Sequence, residues 1–391
     1  MLPAAELLGP LAAALDGTGP AIAPLDPALP PARLERLLDE LAPDALRLPD
    51  GSVRPLPAGP APGTAIDTAV VIVTSGSTGT AKGVELSAAA LLHSARASLD
   101  RIGARPGQRW LCCLPVSHIA GLQVLIRSLL SDSTPVIRDR LDRAAVEAGE
   151  GLHVSMVPTQ LRRLLSDGAG LGPFRTILLG GAGAPAHLLA EASQAGGRVV
   201  TTYGMSESCG GCVYDGMPLD GVRVRLDTSG LIQIAGTVLF SGYRLRPAAT
   251  SAALPGHREW FSTADIGSIG PDGRLTVLGR ADDVINTGGE KVVAGEVAAA
   301  LEACAAVRAA AVVGRPDPEW GERVTAVVVP ADPALPPDLG FLRAHVRQTL
   351  PASAAPRELV LVDELPLLPS GKPDLRALRD PVRNKRASRE Q

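Results

Sequence analysis

Lysine is almost absent from this 391-residue chain. Of its 38 basic residues, only Lys82, Lys291, Lys372 and Lys385 are lysines. Together with the abundance of alanine, glycine and proline, this points to a coding bias that replaces lysine wherever a generic surface charge suffices. The survivors are then expected where a compact ammonium is needed and a planar guanidinium will not serve, as at a phosphate or a reacting carboxylate. Cysteine is scarce as well. Cys112, Cys113, Cys209, Cys212 and Cys304 are odd in number and sparse, which excludes a disulfide framework and suits a reducing compartment. No apolar run reaches the ~20 residues of a membrane-spanning helix. The opening "MLPAAELLGPLAAALDG" has no basic start and carries Glu6 and Asp16, so neither a signal peptide nor membrane insertion is expected and the chain reads as cytoplasmic. A basic face is also missing: the formal charge is -3 with both signs interspersed, which argues against nucleic acid as a partner. The one basic stretch, "RNKRASREQ" at 383–391, reads as a solvated tail.

What is present is an alternation of short apolar runs and helical patterns. A chain of this length exceeds one ordinary core, so a large domain with a smaller one is expected. The first 67 residues form a Pro- and Ala-rich lead-in with one amphipathic helix at 31–42. Strands are expected at 69–74, 109–115, 134–138, 153–158, 175–181 and 198–204, with helices near 87–102, 119–130, 141–149, 159–166 and 184–194. This is the signature of βαβ units around a largely parallel sheet. After residue 212, "GVRVRLD", "GLIQIAG", "TVLFSGYRL" and "GRLTVLGR" predict an antiparallel sheet or small barrel. A compact α+β unit follows, with helices near 294–303 and 338–349 and strands near 308–313, 323–330 and 358–362. The fold class is therefore α/β, with a large domain over 1–279, an antiparallel subdomain within it, and a small mobile C-terminal α+β domain over 280–391.

Three of the four lysines lie in glycine-containing motifs. "TSGSTGTAKG" at 74–83 follows an apolar strand and offers backbone N–H groups and hydroxyls around phosphate oxygens, with Lys82 to balance charge. Its spacing differs from that of the common NTPase loop, because Lys82 is followed by Gly83 and an extended "VELS" where that loop would open a helix. "TTYGMSESCGG" at 201–211 places Glu207 after a predicted strand, where α/β folds put ligand chemistry and where a carboxylate beside phosphates is a natural Mg2+ ligand. Asp265 in "FSTADIG" could accept from two ribose hydroxyls, with Arg280 in "GRADD" near the domain boundary. His118 in "LPVSHIAG" sits where a strand ends and a helix begins, and Lys372 occupies the turn in "LPLLPSGKPDLRAL".

Taken in order, these motifs and "GRADDVINTGGEKV" resemble the adenylate-forming superfamily of acyl- and aryl-CoA synthetases, luciferases and peptide-synthetase adenylation domains, over residues 69–379. Within it, "SMVPTQLRRLL", "ILLGGAGAP" and "TYGMSESCGGCVYDGMPLDGV" look most like the o-succinylbenzoate:CoA ligase branch of menaquinone biosynthesis, in a short form. The resemblance implies a reaction with two steps. ATP and a small carboxylic acid give an acyl-adenylate and pyrophosphate, and coenzyme A then displaces AMP. It also implies roles. Thr74, Ser75, Gly76, Ser77, Thr78, Gly79 and Lys82 would hold the β- and γ-phosphates, and Ser206 with Glu207 would serve phosphate and Mg2+. Gly181, Ala182 and Gly183 would flank the adenine, with Thr202, Tyr203 and Gly204 beside the nucleotide and Asp265 and Arg280 at the ribose. Lys372, with His118 and Glu207, would be catalytic. Asp282 would be a hinge at 280–283, about which Lys372 leaves and Gly288, Gly289 and Lys291 line the CoA path. His118, Thr159, Gln160 and Arg163 are candidates for the second carboxylate of the acid.

Two departures stand out. Ser206 replaces a usual threonine and keeps the hydroxyl, whereas Ala264 replaces a frequent glycine before the ribose aspartate and is expected to tighten that turn. Cys209 and Cys212 form a C-x-x-C with no second pair or neighbouring histidine to support zinc. Carrier-protein loading and a non-catalytic nucleotide-binding module are the alternatives to CoA ligation, and a homodimer is compatible with the reading.

Overall fold

The computed structural model describes residues 4–26, 28–48, 50–57, 63–64, 67–75, 81–255, 259–368 and 373–380. Gly76, Ser77, Thr78 and Gly79 of the phosphate loop, Lys372, and the tail at 383–391 lie outside them. Packing divides the chain into one unit of Met1–Gly181, Glu191–Arg225 and Gln233–Ser262, and another of Ala182–Ala190, Leu226–Ile232 and Thr263–Gln391.

The first unit is organised by a seven-stranded sheet. Its order is Met217–Pro218, Gly210–Tyr214, Val199–Met205, Thr176–Leu179, His153–Met156, Trp110–Cys112 and Val136–Ile137. The last five run parallel, in register Val154↔Ile177 and Leu178↔Val200. Every residue of Trp110–Cys112, His153–Met156 and Thr176–Leu179 is buried, as strands covered on both faces must be. Helices Ala88–Ile102, Ile119–Leu130 and Pro158–Ser166 supply the cover, and Leu91, Leu122, Leu125, Ile126, Leu161 and Leu164 are fully enclosed.

Strand Thr68–Ser75 departs from the expectation of a parallel partner. It pairs antiparallel with Ala81–Ser87, which in turn pairs with Gly242–Tyr243. The segment 76–80 is too short for the crossover a parallel connection needs. The predicted strand over 237–245 is correspondingly reduced to Gly242–Tyr243. Helix Ala4–Asp16 in the lead-in is an addition to the expected elements, because Gly9 and Pro10 inside it read as breakers. Arg244 ties the lead-in to the hairpin: its Nε donates to the Leu41 carbonyl at 3.0 Å and its Nη1 lies 3.5 Å from Glu85.

His153 illustrates how tightly this unit is closed. Only 1% of it is exposed, its ring stacks on Trp110 at 4.9 Å, and the Arg127 guanidinium lies 4.6 Å from the Trp110 ring. Burial, then the positive fields of Arg175, Arg127 and Arg198, push the imidazole down to about 4. The unfolded imidazole titrates near ~6.5, so between about 6.5 and about 4 the unfolded chain takes up a proton that the folded chain refuses. Stability should therefore drop as the pH is lowered across that window, by up to about 1.4 kcal/mol per unit from this group, and level off below it. Urea unfolding between about pH 7 and about pH 4 should show a shallower loss in His153→Phe than in the parent; equal slopes would refute it.

The second unit is built on Glu290–Val293, Val284–Thr287, Gly321–Pro330 and Val307–Asp317, with Glu358–Leu361 parallel to Gly321–Pro330. Period-two burial sends Val324, Ala326 and Val328 to a core with Val297, Leu301, Leu342 and Val346 from helices Ala294–Glu302 and Leu339–Val346. Val327 faces the other way, against Val313 and Leu378. Arg315, buried, joins Glu358 at 2.9 Å and donates to the Leu378 carbonyl at 2.9 Å. Phe261–Ile269 pairs antiparallel with Leu275–Arg280, in register Asp265↔Arg280 and Ile269↔Leu275. Ala264 lies inside Phe261–Ile269, so the expected turn at that position is a strand.

A candidate nucleotide and acid site

In an open parallel sheet the carboxyl ends of the strands are where ligands are met. Trp110–Cys112 leads to His118, His153–Met156 to Thr159, Gln160 and Arg163, Thr176–Leu179 to Gly181, and Val199–Met205 to Ser206 and Glu207. Four of the predicted groups therefore issue from one edge of the sheet. His118 is exposed at the N-terminus of Ile119–Leu130 and its side chain does not cap that helix. The Gln160 amide is already engaged: its Oε1 accepts from the Val157 N–H at 3.1 Å and its Nε2 donates to the Cys113 carbonyl at 3.4 Å. Thr159 is half-buried and Arg163 exposed, and among the described residues Arg163 has no ionic partner.

Lys82 and Glu207, distant in sequence, meet at a third residue. Tyr243 Oη donates to Glu207 Oε1 at 2.9 Å, and Lys82 Nζ lies 4.9 Å from the centre of the same ring. Thr74 stands opposite Lys82 in the hairpin and its hydroxyl donates to the Lys82 carbonyl at 3.4 Å. Burial and the neighbouring Glu207 carboxylate both raise the Tyr243 pKa above that of an ordinary phenol, so the group stays a donor. Tyr243 is absent from the sequence-derived set. Its one signal is a tyrosine in a short apolar segment, whose hydroxyl needs a partner once half-buried.

The turn that presents Glu207 depends on close backbone approach. Val199–Met205 and Gly210–Tyr214 are joined by the short helix Ser206–Ser208, and Gly204 faces Gly211. A Cβ on Gly204 would overlap the Gly210 carbonyl oxygen. Thr202 donates to the Leu179 carbonyl at 3.3 Å, linking this strand to its neighbour, and Ser206 is buried. Cys209 and Cys212 belong to the core: both are buried, burial raises both thiols, Cys212 to about 11, and neither has the exposure of a reactive cysteine.

In the second unit Asp265 and Arg280 are register partners across an antiparallel pair. The Arg280 guanidinium reaches Asp265 Oδ1 at 3.3 Å and Asp282 Oδ2 at 3.1 Å. The adjacent Asp283 is held by Arg379 at 3.1 Å. "NTGGEKV" forms a hairpin whose turn residues, Gly288 and Gly289, have φ of 60° and 84°, the left-handed conformations such turns require. Gly288 donates to the Trp320 carbonyl at 2.8 Å, and Arg357 stacks on the Trp320 indole at 3.5 Å. Lys291 is exposed and borders a shallow hollow with Glu296 and Ser353. Ala182 and Gly183 lie in the loop before helix Ala186–Gln194.

Among the described residues no three His, Cys, Asp or Glu side chains are grouped to hold a metal. A lone carboxylate fits Mg2+ that keeps most of its waters and phosphate ligands, and Glu207 has one oxygen turned to Tyr243 and a second for a cation.

Comparison with known proteins gives the family. Residues 31–239 match the family described as AMP-binding enzyme, and residues 296–372 match the AMP-binding enzyme C-terminal domain. A protein of Mycobacterium tuberculosis named "Probable 2-succinylbenzoate--CoA ligase" is 47% identical over 326 residues, covering 80% of this chain and 84% of that one. The o-succinylbenzoate coenzyme A synthetase of Bacillus subtilis, solved with AMP, superposes with a TM-score of 0.69 at 29% identity over 80% of this chain and 69% of that one. The amide bond synthetase McbA of Marinactinospora thermotolerans gives 0.73 at 30% identity, over 85% and 71%. The chain belongs to the AMP-binding enzymes, the adenylate-forming superfamily that its ordered motifs resemble.

Proposed function

We propose that the chain is an ATP-dependent acid:CoA ligase that converts o-succinylbenzoate, ATP and CoA into o-succinylbenzoyl-CoA, AMP and pyrophosphate. The observation that carries the reading is the meeting of Lys82 and Glu207 at Tyr243, with Glu207 directly after the parallel strand Val199–Met205. The 47% identity to a protein named for this substrate supports the choice of acid.

In the first step a carboxylate oxygen attacks the α-phosphorus and pyrophosphate leaves. Thr74 to Gly79 and Lys82 hold the leaving phosphates. Glu207 would hold the Mg2+, which offsets phosphate charge when bound, and Ser206 would serve the phosphates. Gly181, Ala182 and Gly183 border the base, Thr202, Tyr203 and Gly204 lie beside the nucleotide, and Asp265 accepts from the ribose hydroxyls with Arg280 beside it. Lys372 bridges the attacking carboxylate and the α-phosphate, where charge accumulates. In the second step the CoA thiol attacks the acyl carbon and AMP departs. The segment 280–283, with Asp282, serves as the hinge that withdraws Lys372 and brings Gly288, Gly289 and Lys291 to the CoA path. His118, Thr159 and Arg163 face the acid, with Arg163 supplying a cation for the second carboxylate. The enzyme works in the cytoplasm, where ATP and CoA are made available, and as a homodimer if it assembles.

Similarity to an amide synthetase keeps a second acceptor chemistry in view, in which an amine takes the acyl group. Pyrophosphate release measured over a panel of aryl and aliphatic acids, with and without CoA, separates these readings. The expected result is a clear preference for o-succinylbenzoate and a thioester formed only with CoA. No response to that acid, with response to others, would remove the substrate assignment and leave the family intact.

A further inference from the structure

Lys82 and Glu207 carry opposite charges within reach of one ring, yet among the described residues they make no ion pair with each other. Each is engaged by Tyr243, one through the face of the ring and the other through the hydroxyl. The ring also has anchors besides the two charged side chains. Tyr243 pairs with Val84 in the sheet, its N–H donates to Thr250 Oγ1 at 2.8 Å, and Phe240 packs on it at 4.9 Å. Phe240 also fixes the backbone of Glu207, donating its N–H to the Glu207 carbonyl at 2.9 Å.

We infer that Tyr243 is a positioning residue that keeps Lys82 and Glu207 from pairing before the nucleotide arrives, leaving the ammonium for phosphate and one carboxylate oxygen for Mg2+. This rests on the ATP-dependent reading above. A direct charge-assisted pair would have to be broken by each incoming nucleotide, whereas a cation over a ring is released more easily.

The test is equilibrium ATP binding by calorimetry on the full chain, without acid or CoA, across a Mg2+ titration. Tyr243→Phe keeps the ring and loses the donor. Its half-saturating Mg2+ should rise about fivefold while ATP affinity without Mg2+ holds. Tyr243→Leu removes the spacer, and ATP affinity without Mg2+ should fall about tenfold as Glu207 captures Lys82. Adding Glu207→Gln to that variant should restore the affinity to within about threefold, a repair that a general packing defect would not show. An unchanged Mg2+ requirement in Tyr243→Phe, or no recovery in the double variant, overturns the role. A parent protein that binds no ATP would instead remove the ligase reading itself.

Discussion

Replacing Lys372 with alanine is expected to slow acyl-adenylate formation by about 10² to 10³-fold, the usual loss when one preorganised group facing transition-state charge is removed. The same variant, supplied with acyl-adenylate and CoA, should form thioester at close to the parent rate. The asymmetry follows from the chemistry. The first step brings a carboxylate against a phosphate, two anions that need a compact cation between them, whereas the second places a thiol against a neutral acyl carbon. Lys372 is one of only four lysines in the chain, which fits a position where arginine would not serve. The described residues on either side of its segment are tied together, with the Asp374 N–H donating to the Pro366 carbonyl at 2.8 Å and Leu367 paired with Pro373. Rapid-mixing measurements of the two half-reactions decide the matter. Equal loss in both would defeat the two-conformation reading, hinge included.

Gly204→Ala should destabilise the first unit by about 3 kcal/mol or more, the upper range for forcing atoms into a closed space. The added Cβ would overlap the Gly210 carbonyl oxygen and stand 2.8 Å from the Gly211 Cα, all backbone that cannot rotate aside. Relief requires opening the pairing of Val199–Met205 with Gly210–Tyr214, which also displaces Glu207 at the turn between them. Gly170→Ala is the matched control in the same unit, because nothing lies within 4 Å of its added Cβ. Denaturant unfolding of the two variants should separate them widely. A Gly204→Ala protein within about 1 kcal/mol of the parent would show that the close approach is not needed.

The parallel sheet is legible because strands such as "HVSM" at 153–156 and "TILL" at 176–179 are short, rich in apolar residues, and separated by helices with 3.6-residue periodicity; helix Ile119–Leu130 falls where its pattern predicts. Pairing partners are less legible. Thr68–Ser75 has the same texture as the parallel strands, and only the brevity of 76–80 signals that it turns back on itself. Strand Phe261–Ile269 is hidden for another reason: its polar "STAD" masks the alternation, although Phe261, Thr263 and Gly267 are buried. In the site, the lysines and the lone carboxylate Glu207 can be singled out by chemistry. Tyr243 cannot, since its importance lies in what two remote segments bring to it. Gln160 reads as a ligand group, yet its amide spans two strand ends.

That last contact bears on how such an enzyme could change its diet. Thr159 and Arg163 are four residues apart on one helix, so they share a face, while Gln160 between them is committed to holding the loops after two strands. In the proposed acid pocket, a lineage could exchange Thr159 or Arg163 and try a new acid with the scaffold undisturbed. Exchanging Gln160 would release the two segments that its amide joins. Adaptability and constraint thus alternate within a single turn of helix.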